Sequence, residues 1–257
     1  MRTAKILLLD IETLYMETDG IWDLRTDYIS PDNITKDWSI LCWGAKWLFE
    51  PGISGQSVTP KEAMNREEHT VIGGIWKMID EADIVVTQNG EGFDIPRLNS
   101  KFLKWRLPRP APYIHVDTLK VAKRNIYLPS YKLDWVGKNV LGIDGKIKMG
   151  MDDWRGCAKG DQSALDKMLT YCKRDIAPLL EDWYLYLLPF VKNQNLNIYP
   201  DHDSDVCPNC ESTDLKWTLT YSTPQGRYEG FRCQSCGSIG RGTSKEKAIK
   251  KVQIKPV

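Results

Sequence analysis

The chain opens on an apolar run, Ala4–Asp10 (AKILLLD), uninterrupted until its terminal acid. That is the pattern of a strand buried on both faces at the centre of a sheet. Trp38–Phe49 (WSILCWGAKWLF) is rich in aromatic and aliphatic residues and reads as a second strand, with a third near Gly55–Thr59. Val71, Ile72, Ile75, Trp76 and Ile79 recur at helical spacing, predicting a helix over Arg66–Glu81. A short β-branched strand follows at Ile84–Thr87. Next come a helix over Asp94–Trp105 with Pro96 in its tolerant first turn, a strand at Tyr113–Val116, and a helix capped by Asp117. Ser130–Leu141 reads as a serine-capped helix closed by Gly142, and Asp161–Phe190 as a long helical stretch broken at Pro178. Strands first, then strand–helix alternation, then helices predict a mixed α/β sheet with helices on its faces.

Lys192–Asp205 (KNQNLNIYPDHDSD) is polar and rich in Asn and Asp, and reads as a linker. Composition adds little: 42% hydrophobic and 27% charged residues describe an ordinary globular protein. Without a membrane-length apolar run or a signal-like N-terminus, the expectation is a cytoplasmic protein in a reducing compartment with no membrane partner. The net charge of +1 conceals an asymmetry: from Asp205 onward, nine Lys/Arg face five Asp/Glu, while the remainder is mildly acidic. A metal-binding body with a nucleic-acid-facing end would look like this, and so would an uneven solvated surface.

Three segments carry candidate chemistry. Asp10-Ile11-Glu12-Thr13 closes the first strand, where residues two apart share a face. Two carboxylates about 4 Å apart repel by about 4 kcal/mol at an effective dielectric of 20, so a cation is expected between them. Hard oxygen donors suit Mg²⁺ or Mn²⁺. Alone, the pair is more simply a turn cap. Asn89-Gly90-Glu91-Gly92-Phe93-Asp94 joins a strand to a helix, its glycines permitting close approach, and Asp94 is either a helix cap or a metal-facing acid. Tyr171 and Asp175 in YCKRD lie four apart on one helical face, which taken alone is a solvated surface.

In this order and separation, DIET, NGEGFD and YCKRD resemble the DEDD superfamily of 3′→5′ exonucleases. HVDTLKVAK and SYKLDWVGKNVLGIDGK resemble stretches of family B polymerase proofreading domains. The resemblance covers about residues 1–190 and implies an RNase H-like fold. The family divides by a Tyr four, or a His five, residues before the last acid. Tyr171 occupies the first position and Thr170 the second, which implies the tyrosine subtype. It further implies two Mg²⁺ (or Mn²⁺) ions, with Asp10 bridging them, Glu12 and Asp175 completing one shell and Asp94 holding the other ion mostly through water. Tyr171, whose free pKa is about 10, would orient the attacking water rather than deprotonate it. The product would be a nucleoside 5′-monophosphate.

By the same resemblance, Thr13 and Leu14 would grip the 3′-terminal nucleotide, with Leu14 as a wedge against the base. Phe93 either stacks on a base or packs under its helix. Asn89 touches substrate or shapes the turn, Lys132 meets a phosphate or is simply solvated, and Asp117 is read as a cap.

Cys207-Pro-Asn-Cys210 and Cys233-Gln-Ser-Cys236 are separated by 22 residues, the spacing of a zinc ribbon. The stretch between alternates like a hairpin turning at Pro224-Gln225-Gly226. Four thiolates would close the tetrahedron, so one structural Zn²⁺ is expected. Lys216, Arg227, Arg232 and Arg241, with Trp217, Tyr221, Tyr228 and Phe231, would suit single-stranded nucleic acid, though a protein-docking ribbon would share this composition. Cys42, Cys157 and Cys172 read as ordinary reduced cysteines.

The expected organisation is an exonuclease domain at 1–191, a linker at 192–205, a zinc ribbon at 206–240 and a basic tail at 241–257. The expected activity is 3′→5′ removal of nucleotides from single-stranded DNA 3′ ends in replication, proofreading or repair, with a replication polymerase as partner in trans. A phage or bacterial system suits this architecture. The alternatives are a 3′→5′ exoribonuclease and, in a different class, an inactive nucleic-acid-binding scaffold.

Overall fold

The computed structural model describes residues 4–245 apart from 22, 24–25, 144–146, 200–203 and 225. Lys5–Trp183 form one compact unit and the chain from Tyr184 on forms another. That division falls eight residues before the end of the expected nuclease domain.

The first unit contains β1 (Ile6–Leu14), β2 (Glu17–Thr18), β3 (Ile34–Lys36), β4 (Ser39–Trp47), β5 (Ser54–Ser57), α1 (Pro60–Asn65), α2 (His69–Asp80), β6 (Ile84–Thr87) and α3 (Asp94–Lys104). It continues through β7 (Ile114–Asp117), α4 (Thr118–Asn125), α5 (Leu133–Val136), α6 (Met151–Ala158) and α7 (Gln162–Arg174). α8 (Glu181–Leu187) spans the division. The main sheet runs β5-β4-β1-β6-β7. β1 pairs antiparallel with β4 and parallel with β6; β6 pairs parallel with β7 and β4 antiparallel with β5. This is a five-stranded mixed sheet flanked by helices, an RNase H-like α/β fold.

The apolar run accounts for the central place of β1: Ile6 through Leu9 are buried, as a strand with neighbours on both edges and helices on its faces requires. The strand is longer than expected. It continues past Asp10 because Thr13 and Leu14 still find partners in Ile40 and Ser39, after a register shift behind Glu12. α2 buries Val71, Ile72, Ile75 and Ile79, the residues whose spacing predicted it.

α7 comes close to the sheet through a gap of glycines. Gly44 and Gly55 are register partners on β4 and β5. A Cβ on Gly44 would lie 3.4 Å from both Cys172 Sγ and the Lys173 Cα of α7, and one on Gly55 2.6 Å from Lys173 Cε and 3.1 Å from Leu169 Cδ1. Side chains there would hold α7 away from the strands it packs on.

One local expectation needs correcting. The helix expected over Ser130–Leu141 begins only at Leu133, because the Ser130 hydroxyl accepts from the Lys132 N–H at 3.3 Å and closes a turn instead. A wider helical turn continues over Gly137–Leu141, and Gly142, left-handed at φ 70°, ends it as expected. As expected, the long stretch from Asp161 breaks at Pro178, with the non-helical residue Ala177 (φ −130°, ψ 126°) just before it. α1, α6 and the small β2–β3 pair were not expected at all.

The second unit carries β8 (Leu215–Thr223), β9 (Gly226–Cys233) and β10 (Ile239–Lys245) in a three-stranded antiparallel sheet ordered β10-β9-β8. The hairpin turns where expected, with Thr223 paired to Gly226. The basic tail expected from 241 is a strand up to Lys245, and its remainder lies outside the described residues. The linker is not a free spacer either. Buried Gln194 accepts from the Tyr184 hydroxyl at 2.8 Å and donates to the Asn209 carbonyl at 3.1 Å. Asn209 Nδ2 in turn donates to Leu188 O at 2.7 Å and Val191 O at 3.0 Å. Among the described residues no helix is long and apolar enough to cross a membrane.

Candidate active site and cysteine cluster

β1 and α7 bring Asp10, Glu12 and Asp175 together, with carboxylate oxygens all within 4.8 Å of one another. Asp10 and Glu12 share a face of β1 opposite Gly44 and Cys42 of β4. Asp175 ends α7 one turn after Tyr171, and the Tyr171 hydroxyl donates to it. Three converging hard oxygen donors are the set that Mg²⁺ or Mn²⁺ takes. The charges are costly without a cation. Burial, and then the neighbouring Glu12, Asp94 and Asp175, push the Asp10 carboxyl well above its ordinary value. Tyr171 is pushed up as well, by burial first and then by Asp175 and Glu12, so its phenol keeps its proton.

Asp94 lies outside that group of three. It is the first residue of α3, almost fully buried, and its Oδ1 accepts from the Ile11 N–H at 3.1 Å, on the backbone between Asp10 and Glu12. Burial raises it to about 7 against the pull of that hydrogen bond. It therefore contributes to the field at Asp10 while bracing the strand that carries Asp10.

The loop before α3 is held in place by Asp117. As expected, this residue caps α4, accepting from Leu119 N at 3.0 Å and Lys120 N at 3.4 Å. It also accepts from the N–H groups of Asn89 (3.0 Å) and Glu91 (3.1 Å), a second duty that its place in the sequence did not reveal. Between those two, a Cβ on Gly90 would lie 2.1 Å from Thr87 Oγ1, so only glycine fits this path.

The expected substrate contacts fall differently. Asn89 is exposed at φ 66°, Lys132 is exposed at the start of α5, and Thr13 is half-buried, its carbonyl accepting from Trp154 Nε1 at 3.2 Å. Phe93 is half-buried against the core with the Arg97 guanidinium 3.8 Å from its ring centre. Leu14 is a correction: it is fully buried in the core, so it offers no surface to a base. One neighbour of the acids was missed. The Cys172 thiol, fully buried, lies 3.4 Å from both the carbonyl oxygen and Oδ2 of Asp10. Its position in the YCKRD segment, next to Tyr171, was the only signal.

In the second unit the four cysteines converge, with Sγ atoms all within 4.8 Å and no disulfide among them. Two matching turns assemble them. In each, the N–H of the first cysteine donates to the carbonyl five residues on (Cys207 to Ser212 O, 2.9 Å; Cys233 to Ser238 O, 2.8 Å). The residue four on donates back to the cysteine carbonyl (Glu211, 2.9 Å; Gly237, 3.1 Å) and is left-handed in both turns, at φ 58° and 79°. A hydrogen bond from the Cys210 thiol lowers Cys207, favouring a thiolate. The cluster fits a zinc module.

A family model of the RNase_H superfamily matches residues 53–182, about half of the chain. The chain belongs to the RNase_H superfamily. The matched stretch includes Asp94, Tyr171 and Asp175; Asp10 and Glu12 precede it and are joined to it through β1. Among solved structures, this RNase_H-superfamily chain is similar to the family B DNA polymerase of the hyperthermophilic archaeon Pyrobaculum calidifontis. The TM-score is 0.53 and the identity 14%, over 74% of this chain and 26% of the polymerase. The likeness is one of fold, and the chain spans about a quarter of that polymerase's length. No curated protein matches the chain.

Proposed function

We propose that the chain is a divalent-metal-dependent 3′→5′ exonuclease of the tyrosine subtype, acting on single-stranded DNA ends and releasing nucleoside 5′-monophosphates. Superfamily membership supports a nuclease-type chemistry. The observation that carries the finer reading is the convergence of Asp10, Glu12 and Asp175 within 4.8 Å, with Tyr171 donating to Asp175.

Asp10, Glu12 and Asp175 would hold one Mg²⁺ or Mn²⁺ ion, and Asp94 would help hold a second. Bound ions of this kind supply an acidified water and neutralise charge on the attacking and leaving oxygens. The chain's own residues supply order. Asp94 fixes the β1 backbone through Ile11, and Cys172 donates to Asp10. Tyr171 keeps its proton and orients the water instead of acting as a base. Cys207, Cys210, Cys233 and Cys236 would hold one Zn²⁺ with no position left for chemistry. The setting we favour is replication, proofreading in trans or repair.

The test is incubation of 5′-labelled single-stranded DNA and RNA with Mg²⁺. Stepwise shortening of DNA from the 3′ end is expected, lost by about a thousandfold or more in both Asp10→Ala and Asp175→Ala. Shortening of RNA in preference to DNA would move the reading to an exoribonuclease. No shortening with either Mg²⁺ or Mn²⁺ would overturn it in favour of a binding scaffold.

A further inference from the structure

The β8–β9–β10 sheet has two unlike faces. Pairing fixes which residues share a face: Lys216 stands opposite Arg232, and Arg232 opposite Ile239. Two residues along, Leu219 stands opposite Gly230, and Gly230 opposite Arg241. Further on, Tyr221 pairs with Tyr228. These rows lie on one side, because β9 residues two apart point the same way. The Arg241 guanidinium confirms the assignment, lying 3.9 Å from the Tyr228 ring centre and 6.0 Å from that of Tyr221.

Among the residues of the three strands whose side chains are described, this side carries three cations and no acid. Lys216, Arg232 and Arg241 are all exposed. Lys216 and Arg232 are on adjacent strands, a separation of about 4.8 Å. Beside them Tyr221 is 41% and Ile239 50% exposed, both large for side chains of a folded sheet. The opposite side is of another kind. It holds both Arg227 and Glu229, so cation and acid are mixed there, and Trp217 packs on Phe231 with ring centres 4.9 Å apart.

We infer that the Lys216–Arg232–Arg241 face is a binding surface for single-stranded nucleic acid, separate from the acid cluster and independent of whether that cluster is catalytic. Unopposed cations complement a phosphodiester backbone, and exposed flat or apolar side chains accept unstacked bases. A duplex hides its base faces, so the aromatic part of this surface selects single strands. The Tyr228 ring under Arg241 holds the guanidinium in place without neutralising it.

Two variants of the full chain test this: Lys216→Gln/Arg232→Gln, and Tyr221→Ala. Neither set includes a residue of the acid cluster or one of the four cysteines. Binding of a fluorescent deoxythymidine oligonucleotide is read by anisotropy in Ca²⁺ without Mg²⁺, across a salt series, with a ribo-oligonucleotide and a duplex in parallel. The double variant should bind the single strand about tenfold more weakly, and the slope of log K against log salt should fall by about 1.4, or 0.7 per lost phosphate contact. Tyr221→Ala should weaken binding about fivefold without changing the slope. Unchanged affinity and slope in both variants overturn the proposal and leave the face to a protein partner. Equal losses on duplex and single strand overturn the single-strand selection. If the variants lose binding while no preparation ever shortens DNA, the exonuclease reading fails and this surface stands; if shortening depends on Asp10 but binding ignores the variants, the reverse holds.

Discussion

The two units each gather electronegative side chains to within 4.8 Å, by opposite routes. Asp10 and Asp175 are 165 positions apart and meet only because β1 is central in a sheet and α7 settles over the glycines of β4 and β5. The cysteines come instead from two local turns of the same design, each closed by its own pair of backbone hydrogen bonds. The acid cluster is therefore a product of the fold and a strain on it. The cysteine cluster stands where a core would otherwise be, in a segment with few buried apolar side chains. A site made by long-range packing survives the loss of its ligand; a site that substitutes for a core does not.

Stripping the metals is the severest test of that contrast. Dialysis against a strong chelator should release about one zinc per chain and unfold β8–β10, with loss of hydrogen-exchange protection there by about a thousandfold or more. β1, β4 and β6 should keep their protection. Equal losses in both units, or none, would break the comparison.

A smaller and opposite effect is expected at the acids. The Asp10 carboxyl is raised in the folded chain above its unfolded value. The folded state is thus the poorer host for its charge, the charge subtracts stability at neutral pH, and the penalty fades as pH falls through the folded value. Asp10→Asn should therefore raise stability in divalent-free buffer by about 1–2 kcal/mol in urea unfolding while abolishing DNA shortening. A destabilised variant would show that the carboxylate supports the fold.

The smallest effect sharpens the likeness between the two turns. Glu211 sits left-handed where its counterpart is Gly237. Relief of that conformation is worth about 1–2 kcal/mol and the added freedom of an unfolded glycine offsets about 0.5–1. Glu211→Gly should raise the melting midpoint of the second unit by a degree or two, with zinc content unchanged.

Much of this was legible in the sequence, for local reasons. β6 and the apolar part of β1 were plain as β-branched and aliphatic runs, α2 as a helical stripe, and the cysteine turns as spacing. What escaped was decided elsewhere in the chain. β1 runs on to Leu14 because Ile40 and Ser39 await it, and the same pairing buries Leu14, which a reading from motif position placed against substrate. β10 (IGRGTSK) has no alternation and Ile239 as its one large apolar residue; it is a strand because β9 offers it an edge. Asp117 showed its helix cap, a contact within three residues, and hid its grip on the 89–91 loop, 26 to 28 residues away. Cys172 looked ordinary because its partner is 162 residues distant.

The hydrogen bond from the Ile11 amide to Asp94 makes that amide a built-in observer of the site. It lies between Asp10 and Glu12 and donates its hydrogen bond to the acid outside their group. Protonation of Asp94, or a cation drawing charge from it, weakens this one bond and shifts the Ile11 resonance in a nitrogen–proton correlation spectrum. A single backbone signal, needing no substrate and no label on a side chain, would report the charge state of the cluster in solution.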